Sequence, residues 1–174
     1  MTSTERPARP ELDPETLAFA QKVFGYARTG HAEALGELLA QGMPANLLNE
    51  KGDSLLMLAA YHGHAAATRV LLDHGGDTEL GNDRNQLPLG AAAFKGDAAI
   101  VELLLDGGAK VNGAAPDGRT ALMLAAMFDR AALVELLLAR GADPDLRDAT
   151  GKTARDLAEA MGAVTTPVLL PSRI

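Results

Sequence analysis

The chain has 174 residues and a net charge of −7; it is 47% apolar but only 3% aromatic, and it holds neither cysteine nor tryptophan. That length and apolar content give one domain with a buried core rather than a disordered segment. The acidic balance is wrong for a phosphate backbone, no apolar run is long enough to span a bilayer, and without thiols there are no disulfides or thiolate metal sites.

Residues 1–13, MTSTERPARPELD, lack the apolar stretch of a secretory leader and read as a flexible lead-in containing proline. The expected setting is therefore the cytoplasm. Heavy use of Ala, Arg, Gly and Asp with little Lys points to a GC-rich bacterial coding sequence. Asp13 followed by Pro14 is a helix start, a side-chain acceptor and then a proline preset for the first helical position. This helix is predicted to run to about Arg28. With the helix that carries Leu38 and Leu39, it makes an N-terminal capping pair over residues 14–48.

Three stretches then say nearly the same thing: LMLAAYHGHAAATRVLLDHGG from Leu56, LGAAAFKGDAAIVELLLDGGA from Leu89 and LMLAAMFDRAALVELLLARGA from Leu122. Gly52, Asn85, Gly118 and Gly151 stand 33 residues apart, as do the leucine pairs Leu71-Leu72, Leu104-Leu105 and Leu137-Leu138 and the glycines Gly42, Gly75, Gly108 and Gly141. Each unit reads as two short helices folded back at Gly63, Gly96 or Asp129, residues suited to a left-handed turn. Ala59-Ala60, Ala92-Ala93 and Ala125-Ala126 permit close backbone approach, and the leucine pairs fill the space between layers. One such pair cannot bury its apolar faces alone, so the units are expected to stack as a solenoid. Repeats fall at 49–81, 82–114 and 115–147, and a partial capping repeat at 148–174. In that last unit Arg155, Asp156 and Glu159 are expected on an outer polar face. Pro167 and Pro171 compromise its second helix, and Val168, Leu169 and Leu170 are expected to form an apolar lid.

GRTALMLAA, from Gly118, and RGADPDLRDATGKTA, from Arg140, resemble the ankyrin-repeat family, whose unit is about 33 residues with a T-P-L-H-x-A signature. The resemblance runs from about Phe19 to the C-terminus. It implies an all-α repeat solenoid, an ankyrin fold of helix pairs joined by β-turn loops. This chain departs from the pattern. The signature Thr is Ser54, Leu87, Thr120 and Thr153, and the signature His becomes Met57, Gly90 and Met123. The family's Thr–His bond is thus lost, and a shallower groove with a softer helix is expected at Gly90.

Candidate chemistry is thin. His62 and His64 would need a third ligand to hold a metal, and His64 shares its repeat position with His31. Asp143, Asp145 and Asp148 miss the spacing of a calcium loop. No phosphate-loop, nucleophile-elbow or zinc-protease motif occurs, so no enzyme, cofactor or metal is expected. The resemblance implies instead a module for a protein partner. Its concave face would carry Tyr61 and His62 in the first repeat, Phe94 and Lys95 in the second, Met127 and Phe128 in the third. Its turn tips would carry Leu48, Glu50, Lys51 and Asp53, then Gly81, Asp83, Arg84 and Gln86, then Ala114, Pro116, Asp117 and Arg119. Tyr61, Phe94 and Met127 lie 33 apart and would stack into a stripe beside Phe128, as interface anchors or as packing between layers. A monomer is expected. The alternatives are an enzyme or metal-dependent protein using His62 and His64, and an idle scaffold that self-associates through Leu169 and Leu170.

Overall fold

The computed structural model describes residues 13–171. The expected lead-in over residues 1–13, apart from Asp13, lies outside them. Helix α1 spans Pro14–Thr29, with the Asp13 carboxylate accepting from the backbone N–H groups of Glu15 and Thr16. Helix α2 follows at Ala32–Ala40. Three pairs come next: α3 at Leu55–Tyr61 with α4 at Ala65–Asp73, α5 at Pro88–Lys95 with α6 at Ala98–Asp106, and α7 at Ala121–Met127 with α8 at Ala131–Ala139. Helix α9 at Ala154–Ala160 and a single turn, α10 at Thr166–Leu169, close the described chain.

The first helix of each pair packs on the first helix of the next, and the second helices form a parallel outer layer. In the inner layer Ala59, Ala60, Ala92, Ala93, Ala125 and Ala126 are buried, so neighbouring backbones meet with no long side chain between them. Each pair folds back at a left-handed residue: Gly30, Gly63 and Gly96 at φ of 80°, 76° and 84°, and Asp129 at 53°. Glycine is required at Gly30 for a second reason, because a Cβ there would lie 2.6 Å from the ring of His64.

The leucine pairs divide their work. Leu71, Leu104 and Leu137 are fully enclosed, whereas Leu72, Leu105 and Leu138 are half-buried on the flank of the core. The order inverts in the capping pair, where Leu39 is the buried member. Position 68 holds the one exception to an apolar column of Leu35, Val101 and Val134. Thr68 is buried, and its hydroxyl is without a hydrogen-bond partner.

In the C-terminal unit Glu159 is exposed and Arg155 and Asp156 are half-buried: Arg155 pairs with Glu159 at 2.8 Å and donates to the Leu170 carbonyl at 3.0 Å, while Asp156 completes a capping box with Thr153. Leu170 is buried and Leu169 half-buried, but Val168 is 82% exposed and forms no lid. Asp129 explains how one turn of helix stays docked. Its carboxylate accepts from the backbone N–H groups of Val164, Thr165 and Thr166, and the Thr166 hydroxyl donates to the Ala126 carbonyl at 2.8 Å. The donation from Thr166, with those from Val164 and Thr165, holds the Asp129 carboxyl below the usual carboxylate range against the pull of burial. A hinge glycine could not make this cap, and a carboxylate at a helix N-terminus also suits the helix dipole.

Candidate functional site

The loops between pairs bend into tips that stand beside the first helices, and the space between tips and helices is a groove. Three cavities follow one another along it. The first, about 680 Å³, is lined by Leu17, Phe24 and Leu48. The second, about 200 Å³, is lined by Arg28, Lys51, Tyr61, His62 and Arg84. The third, about 230 Å³, is lined by Leu87, Gly90, Ala91, Phe94, Leu124 and Arg119.

Side-chain amides and carboxylates hold the tips. Asn49 accepts from the N–H groups of Lys51 and Asp53, and Asn82 does the same for Arg84 and Gln86. Asp148 plays this part in the last tip. The Thr150 hydroxyl, followed by the Lys152 and Thr150 N–H groups, keeps its carboxyl below the usual carboxylate range. In the third repeat the position is Ala115, and Asp117 substitutes by accepting from the Arg119 N–H and approaching its guanidinium at 3.7 Å. Adjacent tips are tied through the backbone, Asp83 N–H to the Lys51 carbonyl and Ala149 N–H to the Asp117 carbonyl.

Most of the expected surface residues line the groove, with qualifications. Asp53 is buried, and Asn82 donates to it at 2.8 Å, so its carboxylate joins two repeats rather than facing a partner. Gln86 is half-buried and accepts from Asn82. Lys51, Arg84, Asp117 and Arg119 are on the surface or partly so. The anticipated stripe resolves into two groups. Tyr61 meets His62 edge-on at 5.3 Å, and Lys95 sits 5.0 Å from the Tyr61 ring centre. Phe94 meets Phe128 edge-on at 4.9 Å, while Met127 is half-buried against the core. Phe94 and Phe128 remain 41% and 38% exposed.

Gly90 reverses its expectation. The groove is not shallower there but opens into the third cavity. The first and third repeats place Met57-Leu58 and Met123-Leu124 where the second has Gly90-Ala91. Met57, Leu58 and Met123 are buried. Gly90 and Ala91 form one side of the third cavity, and Leu124 stands close against them, 3.2 Å from where a Cβ on Gly90 would lie. Asn49 and Asn82 escaped the sequence reading, although their 33-residue separation and the Asx-turn chemistry of asparagine were the signal that would have found them.

His62 and His64 do not converge on a metal geometry. His64 Nε2 is 2.9 Å from the Arg28 carbonyl, and its ring lies roughly parallel to that of His62 at 6.3 Å. Among the described residues no three His, Asp or Glu side chains come together. Burial, followed by the charges of His64, Arg28 and Lys95, pushes the His62 imidazolium below the usual histidine value. No helix among the described residues is long and apolar enough to cross a membrane.

Comparison with known proteins agrees with this architecture. A family profile described as ankyrin repeats, in three copies, matches residues 24–114 and 78–148, which together span well over half the chain. An ankyrin repeat protein of Pseudomonas aeruginosa is 59% identical over 54 residues. The matched stretch covers 31% of this chain and only 32% of that relative.

Proposed function

The chain belongs to the ankyrin-repeat family, and we propose that it is a non-catalytic module that holds a partner protein on its concave face and turn tips. Repeats of this family are in general protein-interaction modules. The observation that carries the reading to a particular face is the Phe94–Phe128 pair. In a chain with four Phe and two Tyr, two rings stand exposed against each other beside a cavity with a polar rim. Interfaces concentrate their energy in aromatic anchors set in this way, and a ring already fixed by its neighbour loses little freedom on binding.

In this reading Phe94, Phe128 and Tyr61 are the anchors, and Met127 supports them from behind. Lys51, Arg84, Asp117, Arg119, His62 and Lys95 set register and orientation. Asp53 and Gln86 act indirectly, by holding the tips in place. The module works as a monomer, with the buried Leu170 sealing its last layer, and takes neither nucleic acid nor membrane as partner. The test is affinity capture from a lysate of the source organism with the native chain and with Tyr61→Ala, Phe94→Ala and Phe128→Ala, each checked for native circular dichroism. A partner recovered by the native chain and lost by the Phe variants is expected. Equal recovery by all of them overturns the assignment of this face.

A further inference from the structure

The second and third cavities differ in chemistry but are adjacent, since Arg84 and Gln86 line both. The second is cationic. Arg28, Lys51 and Arg84 converge on it from α1 and from two tips, and among the described residues none of the three is held in an ion pair. Of the acids nearby, Asp53 is already bonded to Asn49 and Asn82, Glu50 stands on the rim, and Asp83 lies at the tip beside Gly52. Lys95 adds a further positive charge beside Tyr61. This local excess of cations occurs in a chain of net charge −7. The compensating acids are elsewhere: Glu33, Glu37, Asp73, Glu102, Asp106 and Glu135 are exposed on the second helices, away from the groove. The third cavity, by contrast, has an apolar wall of Leu87, Ala91, Phe94 and Leu124 beside Gly90, with Arg84, Gln86, Asp117 and Arg119 along its polar side. Its volume of about 230 Å³ suits one large apolar side chain.

We propose that the groove takes an extended acidic segment of a partner protein, with its carboxylates beside Arg28, Lys51 and Arg84 and one bulky apolar side chain in the bay at Gly90. This rests on the concave-face reading above and adds the chemistry of the partner. Three unpaired cations on a concave wall attract carboxylates and choose among partners by sign, while the apolar seat fixes where along the groove the segment stops. His62 feels the same field: after burial and the charge of His64, those of Arg28 and Lys95 also lower its pKa. A nucleic acid would also be drawn to the cations, but it offers no aliphatic side chain to the bay, and its continuous charge is opposed by a chain of net charge −7.

Panning a phage library of random dodecapeptides against the full chain, and against the Arg28→Gln, Lys51→Gln, Arg84→Gln triple variant, tests this. All three substitutions lie on exposed side chains, and circular dichroism verifies the fold. The expected result is a set of peptides rich in Asp and Glu around a single Leu, Met or aromatic residue. The best of them, made synthetically, binds the triple variant at least about tenfold more weakly. Its affinity for the native chain also falls severalfold between about 0.05 and about 0.5 M salt. Peptides enriched without an acidic excess, and bound equally by the triple variant, overturn the inference while leaving the concave face as a binding surface. A single-stranded oligonucleotide that binds more tightly than the best peptide overturns it in favour of phosphate. If no peptide is enriched at all, the inference fails, and the proposed function then stands or falls on the Phe94 and Phe128 capture.

Discussion

The second full repeat and its two neighbours have the same frame and differ in what they give up. All three carry the hinge and the same fully enclosed leucine on the second helix, Leu71, Leu104 or Leu137. In the first and third repeats Ser54 and Thr120 cap the first helix, accepting from the Met57 and Met123 N–H groups, and that methionine fills the space behind. The second repeat has Leu87 with no side-chain cap, a glycine inside its helix, and a cavity where methionine and leucine would be. Pro88 at the helix start mitigates this, since it removes one N–H that would otherwise need a partner. The lost cap and the helical glycine cost stability, and both lie on the groove side. The enclosed leucine of that repeat, Leu104, is unchanged on the far side. The sacrifice is confined to the surface that would meet a partner, which marks the middle repeat as the specialised one.

The largest expected effect tests whether the frame is shared. Leu104→Ala should cost about 2–5 kcal/mol, as should Leu71→Ala and Leu137→Ala, since each leaves a void among enclosed neighbours. Leu105→Ala, on the half-buried flank, should cost clearly less. Urea unfolding measures all four. A much smaller loss for Leu104 than for its equivalents would mean that the middle repeat is loose throughout, not only at the groove. Next, Leu87→Thr should restore the missing cap and stabilise by up to about 1 kcal/mol, read from the same midpoint. Thr68→Val sharpens the contrast from the first repeat. It replaces the unpartnered buried hydroxyl with the side chain that Val101 and Val134 already provide, and should stabilise by roughly 1 kcal/mol.

The smallest effect concerns acid. Asp129, the departure peculiar to the third repeat, has its carboxyl lowered in the folded state, so below the ordinary carboxylate value the unfolded chain binds more protons. Its contribution is therefore present at neutral pH and lost as pH falls through the folded value, below about pH 4. Asp129→Asn should lower the melting temperature at pH 7 and flatten its fall in acid, as a thermal melt series will show. An unchanged acid limb would mean that the last turn of helix is held by Leu170 and Thr166 alone.

The repeat was legible because it is written in residue type. Two 33-residue columns of left-handed residues, one including Asn85 at a φ of 60° and the other Asp129, are visible before any coordinate. Less legible was whatever depends on a partner about 30 residues away. Asp53 reads as a charged tip, and only the reach of Asn82 across the repeat boundary turns it inward. Asp129 reads as a tolerated substitute for glycine, and only the return of residues 164–166 makes it a cap. Gly90 was misread for a different reason. A lost side chain on a surface flattens it, whereas one lost from a packed column opens it, and the buried neighbours Met57 and Met123 decide which applies.

Gly90→Met tests the central claim most directly, with the urea midpoint and the affinity for a peptide selected on the native chain measured on one sample. A Cβ at Gly90 would meet only Leu124 Cδ1, at 3.2 Å, and methionine is the side chain that both neighbouring repeats carry there. With Leu124 yielding by a few tenths of an ångström, replacing a glycine that costs up to about 1 kcal/mol relative to alanine inside a helix should raise the midpoint, and filling the bay should weaken binding at least about tenfold. An unchanged affinity in a folded, stabilised variant would contradict the claim that the middle repeat gives up stability to open a seat for a partner.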